Sequence, residues 1–271
     1  MLTSENLRAA LGEFLTNNPG NRMESGDRIY DEPLVGIATA HDPYFLEFTR
    51  PEVIGDVLRV PTSWLDGAAS VVSFFLPFSE TIRKSNRTFG LPSAEWLHGR
   101  FRGEDLNSDA KRFVVSLIQA EGYRAVAPTL DSRFVQTADF RSSWSERHVA
   151  FVAGLGTFGL SRGLITSKGM AGRFGSIVTD LEITVTPRPY SNPFEYCLFL
   201  SGKAPCRACV ERCPVQAITD KGKDHPPCSD YLRREDLVQD VKDRYGYRYV
   251  ACGKCQTGVP CESGIPITPK P

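Results

Sequence analysis

The sequence predicts an α+β protein: a mixed helix-and-strand body over residues 1–190, followed by a small metal-dependent segment over 191–271. Three observations carry this. Through the first two-thirds, short apolar runs rich in β-formers alternate with stretches of helical periodicity. The segment TPRPYSNPF (186–194) holds three prolines and marks a boundary. All eight cysteines lie between Cys197 and Cys261, with none in the first 196 residues.

Residues 4–16 place Leu7, Leu11, Phe14 and Leu15 on one helical face, the stripe of a packing helix. PLVGIATA (33–40) and ASVVSFFLPF (69–78) are short apolar runs ended by turn residues, which predicts buried strands. Ser108 is placed to cap a helix through Glu121, with Phe113, Leu117 and Ala120 inward and Gly122 ending it. YRAVAP (123–128) predicts another strand, 143–153 a helix leading into Gly154, and RFGSIVTDLEI (173–183) a strand. Trp64, Trp96 and Trp144 are expected as core or interface anchors. Beyond residue 194 the chain is rich in Cys, Gly and Pro and poor in long apolar runs, so it needs metal to hold it.

Composition narrows the function. The chain balances 32 basic against 32 acidic residues, which argues against a scaffold built to hold nucleic acid or an anionic membrane. With 41% apolar and 24% charged residues it can bury a core and is not a disordered chain. No run approaches the roughly 20 apolar residues of a membrane helix. The opening MLTSENLRAALGEFL carries one Arg, two Glu and helical Leu spacing, unlike a signal peptide, so a soluble cytoplasmic protein is expected. Without an export signal, cysteines confined to one segment read as thiolates for metal rather than as a disulfide framework.

Their spacing is specific. Cys206-x2-Cys209-x3-Cys213-Pro214 reproduces the last three ligands of the bacterial ferredoxin run, proline included. The first position of a regular run falls on Lys203, and Cys197 is the one upstream replacement. Downstream stand Cys228, then Cys252-x2-Cys255, then Cys261. In such runs the fourth cysteine serves the other cluster. One [4Fe–4S] cluster is therefore expected on Cys197, Cys206, Cys209 and Cys261, and a second on Cys213, Cys228, Cys252 and Cys255. Cubane iron wants soft thiolates around a compact core, which a CxxC step supplies at one corner. Structural zinc is the competing reading of paired CxxC steps; the x3-Cys-Pro spacing and the total of eight stand against it. Two clusters in one small module imply that electrons are moved.

Gly154-Leu-Gly156-Thr-Phe-Gly159 satisfies GxGxxG, with Asp180 about twenty residues on. A dinucleotide site would need a strand before these glycines and a helix after them. The pattern puts a helix before them, and Gly163, Gly169, Gly172 and Gly175 after them. Each of those glycines would cost a crossover helix about 1 kcal/mol. The better reading is a loop that lets backbone approach a flat ligand or a cluster. Arg162 and Arg173 flank it and are candidates to meet a ligand's carboxylate or phosphate. Asp139, Glu146 and His148 are candidate proton donors, against the plainer readings of helix-end solvation for the acids and a packed, hydrogen-bonded histidine.

With these segments in view, the chain resembles the epoxyqueuosine reductase and reductive dehalogenase superfamily, in VVSFFLPF (71–78), VAGLGTFGLSRGLIT (152–166), GRFGSIVTDLEI (172–183), CRACVERCPVQAI (206–218), CSDYL (228–232) and CGKCQ (252–256). The resemblance implies a nitroreductase-like domain over 1–190 and a ferredoxin-like two-cluster domain over 191–271. It also implies a cobalamin between them, walled by Gly154, Gly156, Gly159 and Arg173, with the first cluster near cobalt. The acidic proton donor that epoxyqueuosine reductases carry before the AGLG helix falls here on Phe140, next to Asp139. The Cys197–Cys206 and Cys255–Cys261 spacings are lengthened, and neither the helical-repeat extension toward tRNA nor a twin-arginine signal is found. The expectation is an iron–sulfur reductase fed by a low-potential electron donor of ferredoxin or flavodoxin type, with a small substrate and no nucleic-acid or membrane partner. The alternative is a non-catalytic electron carrier or reductive activator of a separate corrinoid protein.

Overall fold

The computed structural model describes residues 2–267. The mixed α/β class is as expected. The chain runs α1 (Ser4–Asn17), β1 (Leu34–Thr39), α2 (Pro43–Glu47), α3 (Pro61–Trp64), β2 (Ser70–Pro77), α4 (Glu80–Ser85) and α5 (Ala94–Ala120). It continues through β3 (Ala125–Val126), α6 (Glu146–Val152), β4 (Gly156–Phe158), β5 (Leu164–Thr166) and β6 (Gly172–Thr179). The cysteine-rich part holds α7 (Ala208–Glu211), β7 (Ile218–Thr219), β8 (Gly222–Lys223), α8 (His225–Leu232) and α9 (Glu235–Tyr245).

Four strands form one antiparallel sheet in the order β1-β2-β6-β3. Both faces are covered, which is why β2 is buried along its whole length and its sequence is mostly apolar, with Ser70 and Ser73 buried too, rather than alternating. The pleat still sorts its side chains. Val72, Phe74 and Leu76 face the core under α1 and α5, while Val71 and Phe75 face the core under α2 and α6. Helix α1 buries Leu7, Leu11 and Leu15 as its spacing predicts, and Phe14 stacks on Phe113 at 4.6 Å. All three tryptophans are buried.

Two predicted elements change. The helix expected from Ser108 begins a full fifteen residues earlier, capped by Ser93, whose side chain accepts from the Trp96 N–H. Its first turns look unhelical because Gly99 and Gly103 occupy the packed face, where a Cβ would strike Ile82 and Tyr30. The strand expected over 123–128 shrinks to the two residues of β3, paired with the end of β6. No helix among the described residues is long and apolar enough to cross a membrane.

The cysteine-rich part carries little regular structure and docks on the sheet body through side chains. Trp96 Nε1 donates to the Ala251 carbonyl at 2.8 Å, and Arg87 pairs with the buried Glu262 at 2.7 Å. Gly253 lies so close to the Trp96 ring that a Cβ would stand 2.0 Å from it, and it adopts φ +64°.

Candidate functional site

The eight cysteines are free thiols and divide between two adjoining cavities. Cys197, Cys206, Cys209 and Cys261 line one, roofed by Leu160, Ile165 and Met170. Cys213, Cys228, Cys252 and Cys255 line the other. Local backbone explains how Cys197 reaches its place. After it the chain doubles back, with Ser201 N–H on the Cys197 carbonyl at 2.9 Å and Ala204 N–H on the Leu198 carbonyl at 3.1 Å. Gly202 takes the left-handed conformation at the bend. Lys203, in the place of the missing cysteine, turns to the surface and donates to the Glu195 carbonyl at 2.9 Å.

Burial pushes the Cys209 thiol up to about 12 and the Cys252 thiol up to about 11, and neighbouring sulfurs add to the shift. Cys261 and Cys255 are raised for the same first reason. Thiols so placed become thiolates only against a strong local cation. Among the described residues no three His, Cys, Asp or Glu side chains converge on a point that would hold a single metal ion. The sulfurs instead ring a space.

The second cavity opens on a cleft between the cysteine-rich part and the sheet body, where Phe78, Trp96 and Tyr249 supply aromatic wall and Arg100, Arg173 and Lys223 supply charge. Its floor is an ion network. Glu104 of α5 accepts from Arg173 Nε at 2.6 Å and lies 3.7 Å from Arg100 and 3.8 Å from Lys111. Burial opposes its ionisation, yet Arg173, Lys111 and Arg100 together hold the carboxyl at about 2. Arg100 also donates to the Tyr249 hydroxyl at 3.2 Å, tying the floor to the cysteine-rich part. Arg147, at the start of α6, is water-accessible, but desolvation lowers its pKa and it senses the charges of Arg173, Cys255 and Arg162.

The structure scatters the predicted polar candidates. Glu146 is half-buried, accepts from Ser176 and from Thr129 at 3.1 Å, lies 3.8 Å from Lys111, and is raised in pKa by desolvation. His148 is packed between Phe48 and Phe158, each 4.8 Å away, with Nδ1 2.7 Å from the Ser145 hydroxyl. Burial drops its pKa to about 3, so the plainer reading, a packed neutral histidine, describes it. Asp139 lies at an exposed loop tip, its pKa lowered by the Thr137 hydroxyl and by Arg141 at 2.7 Å. Its neighbour Phe140, at φ +68°, stacks on His225 of α8 with ring centroids 5.5 Å apart.

The glycines need a correction. Gly154 and Gly156 do allow close backbone approach, but to their own chain. A Cβ on Gly154 would stand 2.8 Å from the Pro187 carbonyl oxygen, and one on Gly156 would stand 2.0 Å from that of Ile165. Gly156 lies in the β4–β5 hairpin, and Gly159 packs against Ile165. These glycines follow a helix and enter a strand, so GxGxxG here is no dinucleotide turn. Cys213, Cys228, Cys252 and Cys255 share their cavity with Phe78, Trp96 and Tyr249, while the Cys197 set lies under Leu160, Ile165 and Met170. Arg100 and Glu104 escaped sequence reasoning because they precede the expected start of the helix, and Lys111, within it, carried no signal of its own. Arg147 carried no sequence signal beyond its place beside Glu146.

Comparisons with known proteins point one way. No family model matches the chain. Epoxyqueuosine reductase of Bacillus anthracis is 31% identical over 125 residues, covering 45% of this chain and 30% of that protein. The enzyme of Francisella cf. novicida (strain Fx1) is 33% identical over 129 residues, covering 45% and 33%. The chain resembles the epoxyqueuosine reductase and reductive dehalogenase superfamily. The match spans about a third of the length of these curated relatives. The fold agrees over nearly the whole chain. A selenomethionine-labelled epoxyqueuosine reductase superposes with a TM-score of 0.53 at 15% identity, covering 98% of this chain and 68% of that one. A catabolic reductive dehalogenase in complex with 3-bromo-4-hydroxybenzoic acid gives 0.54 at 14%, covering 97% and 37%.

Proposed function

We propose that the protein is an iron–sulfur reductase of the epoxyqueuosine reductase type. The observation that carries this is the four-and-four division of the cysteines around two adjoining cavities, one of them open to the cleft. In this reading residues 1–190 form a nitroreductase-like domain and residues 191–271 a ferredoxin-like domain. Cys197, Cys206, Cys209 and Cys261 hold one [4Fe–4S] cluster, and Cys213, Cys228, Cys252 and Cys255 the other. The donor set fits: all-thiol, largely apolar in its surroundings, with the Ala217 N–H directed at Cys213 Sγ at 3.2 Å. Thiols ringing a space suit a multi-iron core, whereas a single zinc draws its sulfurs to roughly 2.3 Å from one point. The clusters pass single electrons from a low-potential donor of ferredoxin or flavodoxin type toward the cleft.

The resemblance puts a corrinoid at the mouth of this same cavity, against Phe78, Trp96, Tyr249, Arg100 and Arg173, outside the space of the four thiols. A cobalamin bound there supplies a low-potential cobalt centre for reduction of a small substrate. The chain's own residues do the rest. The Glu104, Arg173 and Arg100 network fixes the floor, and Lys223 adds positive charge to the wall. Epoxyqueuosine reductase from Bacillus subtilis has been seen with its catalytic aspartate loop swung out of the active site. By the resemblance, the loop that carries Asp139 and Phe140 stands in the corresponding place, and Phe140 stacks on His225. Asp139, its pKa lowered by the Thr137 hydroxyl and by Arg141, has no proton to give near neutral pH.

The test is to add cobalamin to the anaerobically reconstituted protein, reduce it, and follow the corrinoid absorption. Cobalt reduction on the chain itself is expected. Electron delivery only after a separate corrinoid protein is added would make the chain a reductive activator instead.

A further inference from the structure

The two cysteine cavities sit in unlike fields. Leu160, Ile165, Met170, Leu198 and Val259 surround the Cys197 set, and among the described residues no charged side chain lines that cavity. Around the other set, Arg212 directly precedes Cys213, Lys254 stands between Cys252 and Cys255, and Lys223 lines the cavity itself. Arg212 donates to the carbonyls of Lys254 at 3.1 Å, Arg87 at 2.9 Å, Asn86 at 3.2 Å and Thr88 at 3.3 Å. Buried Lys254 donates to the Asn86 and Thr88 carbonyls and to the Asn86 side-chain oxygen. None of these acceptors is a carboxylate, so both cations keep their full charge. The buried acid nearby, Glu262, is taken by Arg87 at 2.7 Å and by the Gly258 N–H. Arg100 and Arg173 also line the second cavity, with Glu104 answering much of their charge. Local charge, hydrogen bonds to sulfur and exposure set how readily an iron–sulfur site takes an electron, and low dielectric magnifies the first. All three act in one sense here, since Ala217 N–H also meets Cys213 Sγ at 3.2 Å and the cavity opens on the cleft.

We infer that Arg212, Lys223 and Lys254 make the Cys213, Cys228, Cys252 and Cys255 site the more easily reduced of the two, so that an electron from the low-potential donor comes to rest beside the cleft. This rests on the reading of both cavities as [4Fe–4S] sites. The donor loses one electron, the Cys197 site takes it up and hands it on, and the Cys213 site ends one electron richer, with no bond made or broken. Were the two sites alike, the electron would divide evenly between them. A tenfold bias holds it beside the cleft in about nine of ten singly reduced chains.

The test is a redox titration of the anaerobically reconstituted protein, followed by electron paramagnetic resonance. Cys197→Ala assigns the signals, because the four-iron signal it spares belongs to the Cys213 site. In the unaltered protein that signal should appear first, its reduction favoured about tenfold or more over the other, or about 59 mV for one electron. Lys223→Gln and Arg212→Gln should each narrow this lead about threefold or more and leave the Cys197 signal in place. Arg212→Lys, which keeps the charge, should keep the lead. Lys223 is half-buried in a short hairpin, so Lys223→Gln alone decides if Arg212→Gln fails to fold. Equal midpoints, a Cys197 site that reduces first, or a lead that survives removal of the charge overturns the inference. Iron and sulfide on the same samples keep the claims apart. About eight of each with no lead removes this inference alone, whereas zinc without sulfide removes the cluster reading and the inference with it.

Discussion

Lys254, between Cys252 and Cys255, buries its ammonium against Asn86, donating to the Asn86 carbonyl at 3.2 Å and to its side-chain oxygen at 3.0 Å. A third bond goes to the Thr88 carbonyl at 2.8 Å, and Asn86 returns one to the Cys252 carbonyl at 3.1 Å. The CxxC step is therefore pinned to the chain just after α4. The sheet body and the cysteine-rich part share this lock, and it positions the cavity of Cys252 and Cys255 against the cleft.

Lys254→Ala removes three hydrogen bonds and a buried side chain from this lock and should cost about 2–4 kcal/mol. Asn86→Ala should cost a similar amount, and the double variant should cost clearly less than the sum, because both remove one network. Denaturant titration of the three proteins reads this directly.

Removal of iron by an anaerobic chelator should loosen residues 197–234 while residues 250–262 stay docked. Thiolate–metal bonds are the main hold on the first stretch. The second keeps Lys254, the Arg87–Glu262 pair and the Trp96 bond to Ala251. Hydrogen exchange resolved by segment is the measurement, and equal exposure of both stretches is the contrary result.

Cys197→Ala should convert one of two clusters, to a three-iron form visible by electron paramagnetic resonance, and spare the other. Lys203 offers no substitute, since it faces solvent and an ammonium cannot ligate iron. A variant that keeps two intact four-iron clusters would remove Cys197 from the ligand set.

Acid should weaken the fold through Glu104. Its folded pKa, about 2, lies below the ordinary carboxylate value, so its contribution is complete above about pH 4.5 and is lost as pH falls toward 2. The contribution is of order 2–3 kcal/mol before screening. Glu104→Gln should be less stable at pH 7, and its stability should fall less between pH 4.5 and 2.5. His148, lowered to about 3, acts in the same sense over a higher window, its contribution fading as pH drops below about 6.5. His148→Phe should flatten that portion of the curve.

Much of this was legible in the residues, for identifiable reasons. Leu7, Leu11 and Leu15 announced α1 because a helix with one buried face keeps a 3.6-residue rhythm. The apolar block 69–78 announced β2 because a strand covered on both faces needs no alternation. Cysteine spacing is read locally, and each set of four that it predicted lines one cavity. The failures share another cause. Gly99 and Gly103 hid the start of α5 because their reason for being glycine, Ile82 and Tyr30, lies far off in sequence. Gly154 and Gly156 suggested an open wall because spacing cannot tell whether a ligand or Pro187 and Ile165 will fill the space. The Arg147–Arg162 contact is tertiary, joining the first turn of a helix to a turn beyond the next strand.

The central claim is that two four-thiol cavities each hold an iron–sulfur cubane. Iron and acid-labile sulfide, counted per chain after anaerobic reconstitution, test it most directly. The account predicts about eight of each. A stable folded chain carrying one zinc and no sulfide would contradict it.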